Sequence, residues 1–184
     1  FLRLQREIRK TIVFVTHDID EAIRMGDRIA IMSQGGHLEQ YDTPEAILAS
    51  PANAFVEEFL GAERGLKRLA LIPVSEVTAD PGPVVHPHDS SEHARKVAEA
   101  AGTDWVAVVE RDGRLLGWQF VSELNGRVER DATRPFRTQV NADDSLRTAL
   151  DAMVTSRTGV AVRVSAGQRY EGILTQELLI REMV

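Results

Sequence analysis

The 184-residue chain contains no cysteine. That excludes a disulfide framework, a thiolate metal site and a cysteine nucleophile. Aromatic residues make up only 5% of it. No apolar run approaches the ~18 residues needed to cross a bilayer. Positive charge is in deficit: 22 Lys and Arg face 28 Asp and Glu, a net charge of −6. Nonspecific nucleic-acid binding needs the opposite balance, so no nucleic-acid partner is expected. The opening FLRLQREIRK reads as an amphipathic basic helix and not as a secretory signal. It has no initiating Met, and the expectation is a piece of a longer protein. What is present, 43% hydrophobic and 27% charged residues, suits one ordinary globular domain or two small ones. Charge is uneven: up to Glu63 there are 6 basic and 11 acidic residues, and from Arg64 onward 16 and 17.

The stretch Thr11–Ala22, TIVFVTHDIDEA, is the most distinctive. Thr11 to Val15 is a short β-branched and aromatic run, as in a strand covered on both faces. His17 follows at its carboxyl end, the edge at which open α/β sheets bind ligands. Asp18 can cap a helix, with Glu21 able to reach back to the cap N–H. That helix runs from Ile19 to Met25 and stops at Gly26. Arg28–Met32 and Leu38–Tyr41 flank Gly35-Gly36 as a hairpin. Thr43-Pro44-Glu45 opens a helix with cap, proline and acidic first turn in order, and Asn53–Leu60 makes another, ending at Gly61.

These residues resemble the switch-histidine region of ABC-transporter ATPases, through Thr16-His17-Asp18, Glu21-Ala22, Asp27–Met32, Gly36–Gln40 and Thr43–Leu48. The resemblance covers about sixty residues and implies that His17 senses the ATP γ-phosphate in the whole ATPase. The chain has no G-x-x-x-x-G-K-[ST] loop to cradle phosphates, no signature Ser-Gly-Gly segment and no acidic Walker B strand. By itself it is therefore expected to be no enzyme and to hold no catalytic residue, while the parent is expected to be an ABC-type ATPase.

Ala62–Pro83 reads as a connector dense in turn formers near its end, with the domain boundary near Arg64. Beyond it lies an internal repeat without gaps. Val85 and Asp89-Ser90 align with Val140 and Asp144-Ser145, 55 positions on, and Ala94, Val106, Gly117 and Leu124 align with Ala149, Ala161, Gly172 and Leu179. Each copy reads β-α-β-β-α. The strands are Val84-Val85, Trp105–Val109 and Leu115–Phe120 in the first, and Thr138–Val140, Val160–Val164 and Tyr170–Leu174 in the second. A last helix follows each, from Val121–Leu124 onward and over Gln176–Met183. The fold class is α/β (α+β), with domains at 1–63, 64–128 and 129–184.

This repeat resembles the CBS domain, which occurs as tandem pairs. A CBS pair behind an ABC ATPase is similar to the ATP-binding subunit of importers for glycine betaine, carnitine, choline or proline. That resemblance implies a homodimer formed through the CBS pairs, permease subunits as partners, and a place at the inner face of the bacterial plasma membrane. In nucleotide-binding CBS pairs, a Thr and an Asp in a Gly-led motif hold phosphate and ribose. Here Gly172 and Thr175 keep the hydroxyl while Leu178 replaces the acid. Gly117 and Glu123 keep an acid while Phe120 replaces the hydroxyl. The resemblance thus makes Gly117, Glu123, Gly172 and Thr175 the cleft residues for ATP, AMP or cyclic di-AMP. Three readings stay open: a regulatory binding module, a structural dimerisation module with vestigial clefts, and an inactive part of an ATP-hydrolysing subunit.

Other features have competing explanations. Trp105 and Trp118 either stack on a base or fill the core, and core is favoured because large aromatics contribute burial first. Arg127, Arg130, Arg134 and Arg137 either touch anionic lipid or form a solvated linker interrupted by Pro135. His86 and His88, flanking Pro87, read as a surface loop, and no metal site is expected.

Overall fold

In the computed structural model, which describes residues 10–137 and 139–183, the chain divides between Arg68 and Leu69 into two units, with Met183 grouped with the first. Most of the expected opening helix, and Thr138 of the expected strand Thr138–Val140, lie outside the described residues.

In the first unit, Asp18 caps α1 (Ile19–Met25) by accepting from the N–H groups of Asp20 and Glu21 at 2.8 and 3.1 Å. Glu21 does not reach back to the cap as expected. Its carboxylate accepts from the Thr16 hydroxyl at 2.9 Å, and that hydroxyl accepts from the Asp18 N–H at 3.0 Å. Gly35 and Gly36, both at positive φ, turn β1 (Ile29–Ser33) into β2 (His37–Asp42). Thr43 caps α2 (Pro44–Ala49) and Asn53 caps α3 (Ala54–Leu60). Ile29, Ile31, Ile47, Leu48, Val56 and Leu60 are buried.

Two expectations fail here. Residues 11–15 belong to none of the sheets of the described residues, and Val13 and Val15 are 87% and 90% exposed. A strand of that composition needs cover on both faces, and the described residues supply a sheet to neither. The connector, in turn, contains α4 (Arg64–Leu71). The apolar Leu66 and Leu69 recur at helical spacing, and Pro73, which biases its predecessor away from helix, comes only after the helix has ended. Arg64 donates to the Leu48 carbonyl at 3.0 Å, and Lys67 pairs with Asp20 at 2.6 Å.

The second unit carries the repeat. The first copy is β3 (Val84–Val85), α5 (Ser91–Ala100), β4 (Trp105–Val109) and β5 (Leu115–Phe120). The second is β6 (Gln139–Val140), α6 (Leu146–Thr155), β7 (Ala161–Ser165), β8 (Arg169–Leu174) and α7 (Gln176–Met183). Each makes a three-stranded sheet in sequence order, its first pair parallel and its second antiparallel. The helix starts are built alike. Asp89 and Asp144 accept from the His86 and Asn141 N–H groups at 2.8 and 2.7 Å. Ser90 and Ser145 cap α5 and α6 at 3.1 and 3.2 Å. Ser90→Ala and Ser145→Ala are each expected to lower stability by about 1 kcal/mol, measured as a shift in urea midpoint at unchanged slope.

β4 alternates strictly between two cores. Trp105, Ala107 and Val109 join Leu115, Trp118, Phe136, Val160, Val162, Val164 and Ile173 in one cluster shared by both sheets. Val106 and Val108 face the other way, onto Val85, Ala94, Ala98, Leu124 and Val128. Both tryptophans are core residues, 3% and 5% exposed. The hairpin tips meet about a local twofold relation: Leu115 N–H donates to Gln168 O and Tyr170 N–H to Gly113 O, each at 2.9 Å. Leu115 and Gly113 are the 55-residue counterparts of Tyr170 and Gln168, so this is one bond made twice.

The segments that precede the repeats cross over. Asp80, ahead of the first copy, exchanges two backbone bonds with Ile173 of the second. Arg134, ahead of the second copy, does the same with Trp118 of the first. A further correction follows in the first copy, where the expected last helix is one 3-10 turn, Val121–Glu123. Beyond it Asn125-Gly126 breaks the chain direction, and the backbone bonds to the start of α5 instead: Ser91 N–H donates to Gly126 O and Val128 N–H to Asp89 O, both at 2.9 Å.

Candidate functional site

The first-copy cleft is built where β5 ends. Gly117 has φ +148°. A Cβ there would run into the Arg134 carbonyl, lying 2.9 Å from its carbon, so glycine is what lets residues 133–134 lie along β5. Arg134 is thereby fixed by two 2.8 Å backbone bonds to Trp118. Its guanidinium grips the Glu123 carboxylate through two nitrogens, at 2.6 and 2.9 Å. It also lies over the rings of Trp118 and Phe120, 5.4 and 5.2 Å from their centroids. Arg134's hydrogen bonds hold the Glu123 carboxyl below its ordinary range, and Glu123 in return raises the guanidinium. Both side chains are about half exposed, 42% and 51%.

Beside this clasp is a cavity of about 170 Å³ bordered by Gln119, Glu123, Asn125, Arg127 and Glu129. It lies where the first copy's last helix is missing. It is smaller than the ~300–1,000 Å³ of ordinary small-molecule sites. Gln119 is buried; its amide N–H donates to the Glu129 carbonyl, and its amide oxygen has no partner.

The second-copy cleft differs. Gly172, at φ +129°, repeats the role of Gly117, with Asp80 O 2.6 Å from where a Cβ would lie. The Thr175 hydroxyl accepts the Leu178 N–H at 3.3 Å, serving the start of α7. Tyr170 donates to Pro81 O at 2.8 Å. Burial pushes its hydroxyl well above the ordinary tyrosine range, and the Asp80 charge adds to the shift. Arg163 stands where the first copy has Val108. It donates to the carbonyls of Val74 and Val77 at 3.4 and 3.2 Å and approaches Glu171 at 3.2 Å. Polar side chains thus hold each crossing segment: Gln119 from β5 in the first copy, and Arg163 from β7 with Tyr170 from β8 in the second.

Of the residues singled out in the sequence, Gly117 and Glu123 are linked through Arg134, whose backbone lies against the first and whose side chain pairs with the second, whereas Gly172 lies against Asp80 and Thr175 is engaged on the Leu178 N–H. His17 is exposed beside the Asp18 cap. His86 bonds through Nδ1 to Val109 O at 2.7 Å, and His88 sits at φ 74°. Among the described residues no group of three or more His, Asp or Glu could hold a metal, and no helix is long and apolar enough to cross a membrane. The arginine series is partly engaged, Arg130 with Glu110 at 2.7 Å and Arg134 with Glu123. Sequence reasoning missed Arg134 as a cleft residue, along with Gln119 and Arg163. The usable signal was the register of the crossing segments. Arg127 bridges to Ser90 and Pro73 to Ser145, so these segments repeat at 54 residues, not 55.

Two β-α-β-β units packed face to face, each completed by a crossing segment and with a Gly-led cleft, define a tandem pair of CBS domains. The CBS domain family model matches residues 130–184. The fold is similar to the CBS-pair protein CBSX2 of Arabidopsis thaliana; its structure in complex with AMP gives a TM-score of 0.50 at 19% identity, over 60% of this chain and 94% of that one. By sequence the chain is a homologue of the ATP-binding subunits of osmoprotectant ABC importers. It is 36% identical to the osmoprotectant import ATP-binding protein OsmV of Salmonella typhimurium over 184 residues, 97% of this chain and 47% of that protein. It is 42% identical to the glycine betaine/carnitine/choline transport ATP-binding protein OpuCA of Bacillus subtilis over 126 residues, 68% of this chain and 33% of that protein. The chain thus spans half or less of the length of these relatives.

Proposed function

We propose that the CBS pair is the regulatory module of an osmoprotectant importer's ATP-binding subunit, coupling a cytoplasmic signal to transport. The candidate signals are an adenine nucleotide, cyclic di-AMP or ionic strength. In this reading the chain works at the inner face of the plasma membrane, beside permease subunits, as a homodimer through its CBS pairs. ATP hydrolysis belongs to the longer protein, with His17 as its γ-phosphate sensor. The mechanism is a shift between two arrangements of the pair, which requires a ligand or salt condition that favours one of them.

The observation that carries this reading is in the first copy: a half-exposed acid, Glu123, held in a solvent-screened ion pair by an arginine that lies over two aromatic rings. Such a pair contributes little stability and yields to competing charge or to salt. The second cleft favours a narrower reading, a structural dimerisation module, because the Thr175 hydroxyl is engaged on the backbone and Leu178 offers no acid. The test is an unfolding series with AMP, ADP, ATP, S-adenosylmethionine and cyclic di-AMP, repeated across salt. A ligand at a hundred times its dissociation constant is expected to add ~2.7 kcal/mol. A flat response to all five ligands and to salt would leave the structural reading.

A further inference from the structure

Phe120 removes the hydroxyl with which this cleft would meet a phosphate. The structure brings a stronger anion ligand to the same place by another route. The Arg134 guanidinium lies 5.2 Å from the Phe120 ring centroid and makes a two-nitrogen contact with Glu123. The two groups held together there are a planar guanidinium, suited to phosphate oxygens, and a carboxylate, suited to a ribose cis-diol. We propose that Arg134 is the anion-binding residue of the first-copy cleft, held in reserve on Glu123 until a phosphate-bearing ribonucleotide takes up both groups. This rests on the nucleotide reading above.

Three features support the assignment. Arg134 is fixed by its backbone, through two bonds to Trp118 made possible by Gly117, so its side chain can change partners while the segment stays docked. Both members of the pair are about half exposed, and water-screened pairs of this kind exchange partners at little cost. A phosphate dianion is a better partner for a guanidinium than one carboxylate, and a diol replaces Arg134 on Glu123, so neither charge is left alone. The clasp therefore selects for ligands that bring both groups. A nucleoside offers only the diol, and inorganic phosphate only the anion.

The test is calorimetric titration of the full chain and of Arg134→Gln, Arg134→Lys and Glu123→Gln with AMP, adenosine and 2′-deoxyadenosine monophosphate. The wild-type chain is expected to prefer AMP to adenosine by about 10- to 100-fold, the range of one charge-assisted phosphate contact. Arg134→Gln should bring that ratio near one while adenosine binds at least as well, because Glu123 is released. Arg134→Lys should keep part of the preference. Glu123→Gln, which leaves Arg134 in place, should keep the phosphate preference and lose that for ribose over deoxyribose; it also serves if Arg134→Gln does not fold. An unchanged AMP-to-adenosine ratio in Arg134→Gln overturns the assignment and leaves the nucleotide reading standing. A silent wild type with adenosine binding to Arg134→Gln also overturns it, since the clasp would then shut the cleft. Silence of all four proteins toward all three probes removes AMP as the signal and this inference together.

Discussion

Gly172→Ala is expected to destabilise the CBS pair by about 2–5 kcal/mol, the sum of a strained backbone conformation and an overpacked contact. The added Cβ would lie 2.6 Å from the Asp80 carbonyl oxygen and 2.9 Å from the Ala79 Cβ, at a φ of +129°. Neither neighbour is the free end of a flexible chain. Asp80 is held by two bonds to Ile173, and Tyr170 holds the carbonyl of Pro81. Gly102→Ala is the control: it has positive φ but nothing within 4 Å of its Cβ, and should lose only about 1 kcal/mol. Urea unfolding measures both. If the two variants lose the same amount, the close approach of the crossing segment is not what requires glycine at 172.

Trp105→Ala is expected to remove about 3–5 kcal/mol, the cost of a large aromatic truncated in a packed core. Trp105 is 3% exposed and meets Phe136 edge to face with ring centroids 5.8 Å apart. Its cluster includes residues of both sheets, so the loss should fall on both copies at once. Unfolding followed by tryptophan fluorescence from Trp118 and by far-UV circular dichroism should remain one coincident transition at a lower midpoint. Separation into two transitions would contradict a core common to both repeats. Val154→Ala, at a 79% exposed position, should leave the midpoint unchanged.

The parts of this fold that were legible from sequence are the local ones. The Asp18 and Thr43 caps sit one residue ahead of their helices, where the pattern puts them. The 55-residue period located both sheets, and β4 and β5 have the expected bounds. What was misread depends on partners distant in sequence. The run from Thr11 to Val15 has strand composition, yet a strand exists only where another backbone pairs with it. The first copy's last helix is set by competition: from Gly126 on, the backbone binds the start of α5 rather than itself. The clefts were half legible. Glu123 was visible in its motif, but its partner is eleven residues away on a segment read as a solvated linker. Arg134 appeared there as one of four regularly spaced arginines, and nothing local distinguished it.

The crossover of the segments has a consequence for how the chain folds. Asp80 is separated from Ile173 by 93 residues, so its pairing closes one of the longest loops in the second unit. At a synthesis rate of 5–20 residues per second, roughly 5–20 s pass between the emergence of the two. During that interval the first repeat has its own crossing segment once Arg134 appears, whereas the connector around Asp80 must wait. Contacts of such long range slow folding and delay cooperativity. The region matched by the CBS family model, 130–184, lacks Asp80 and its neighbours, so the second repeat is completed only by residues made before the first.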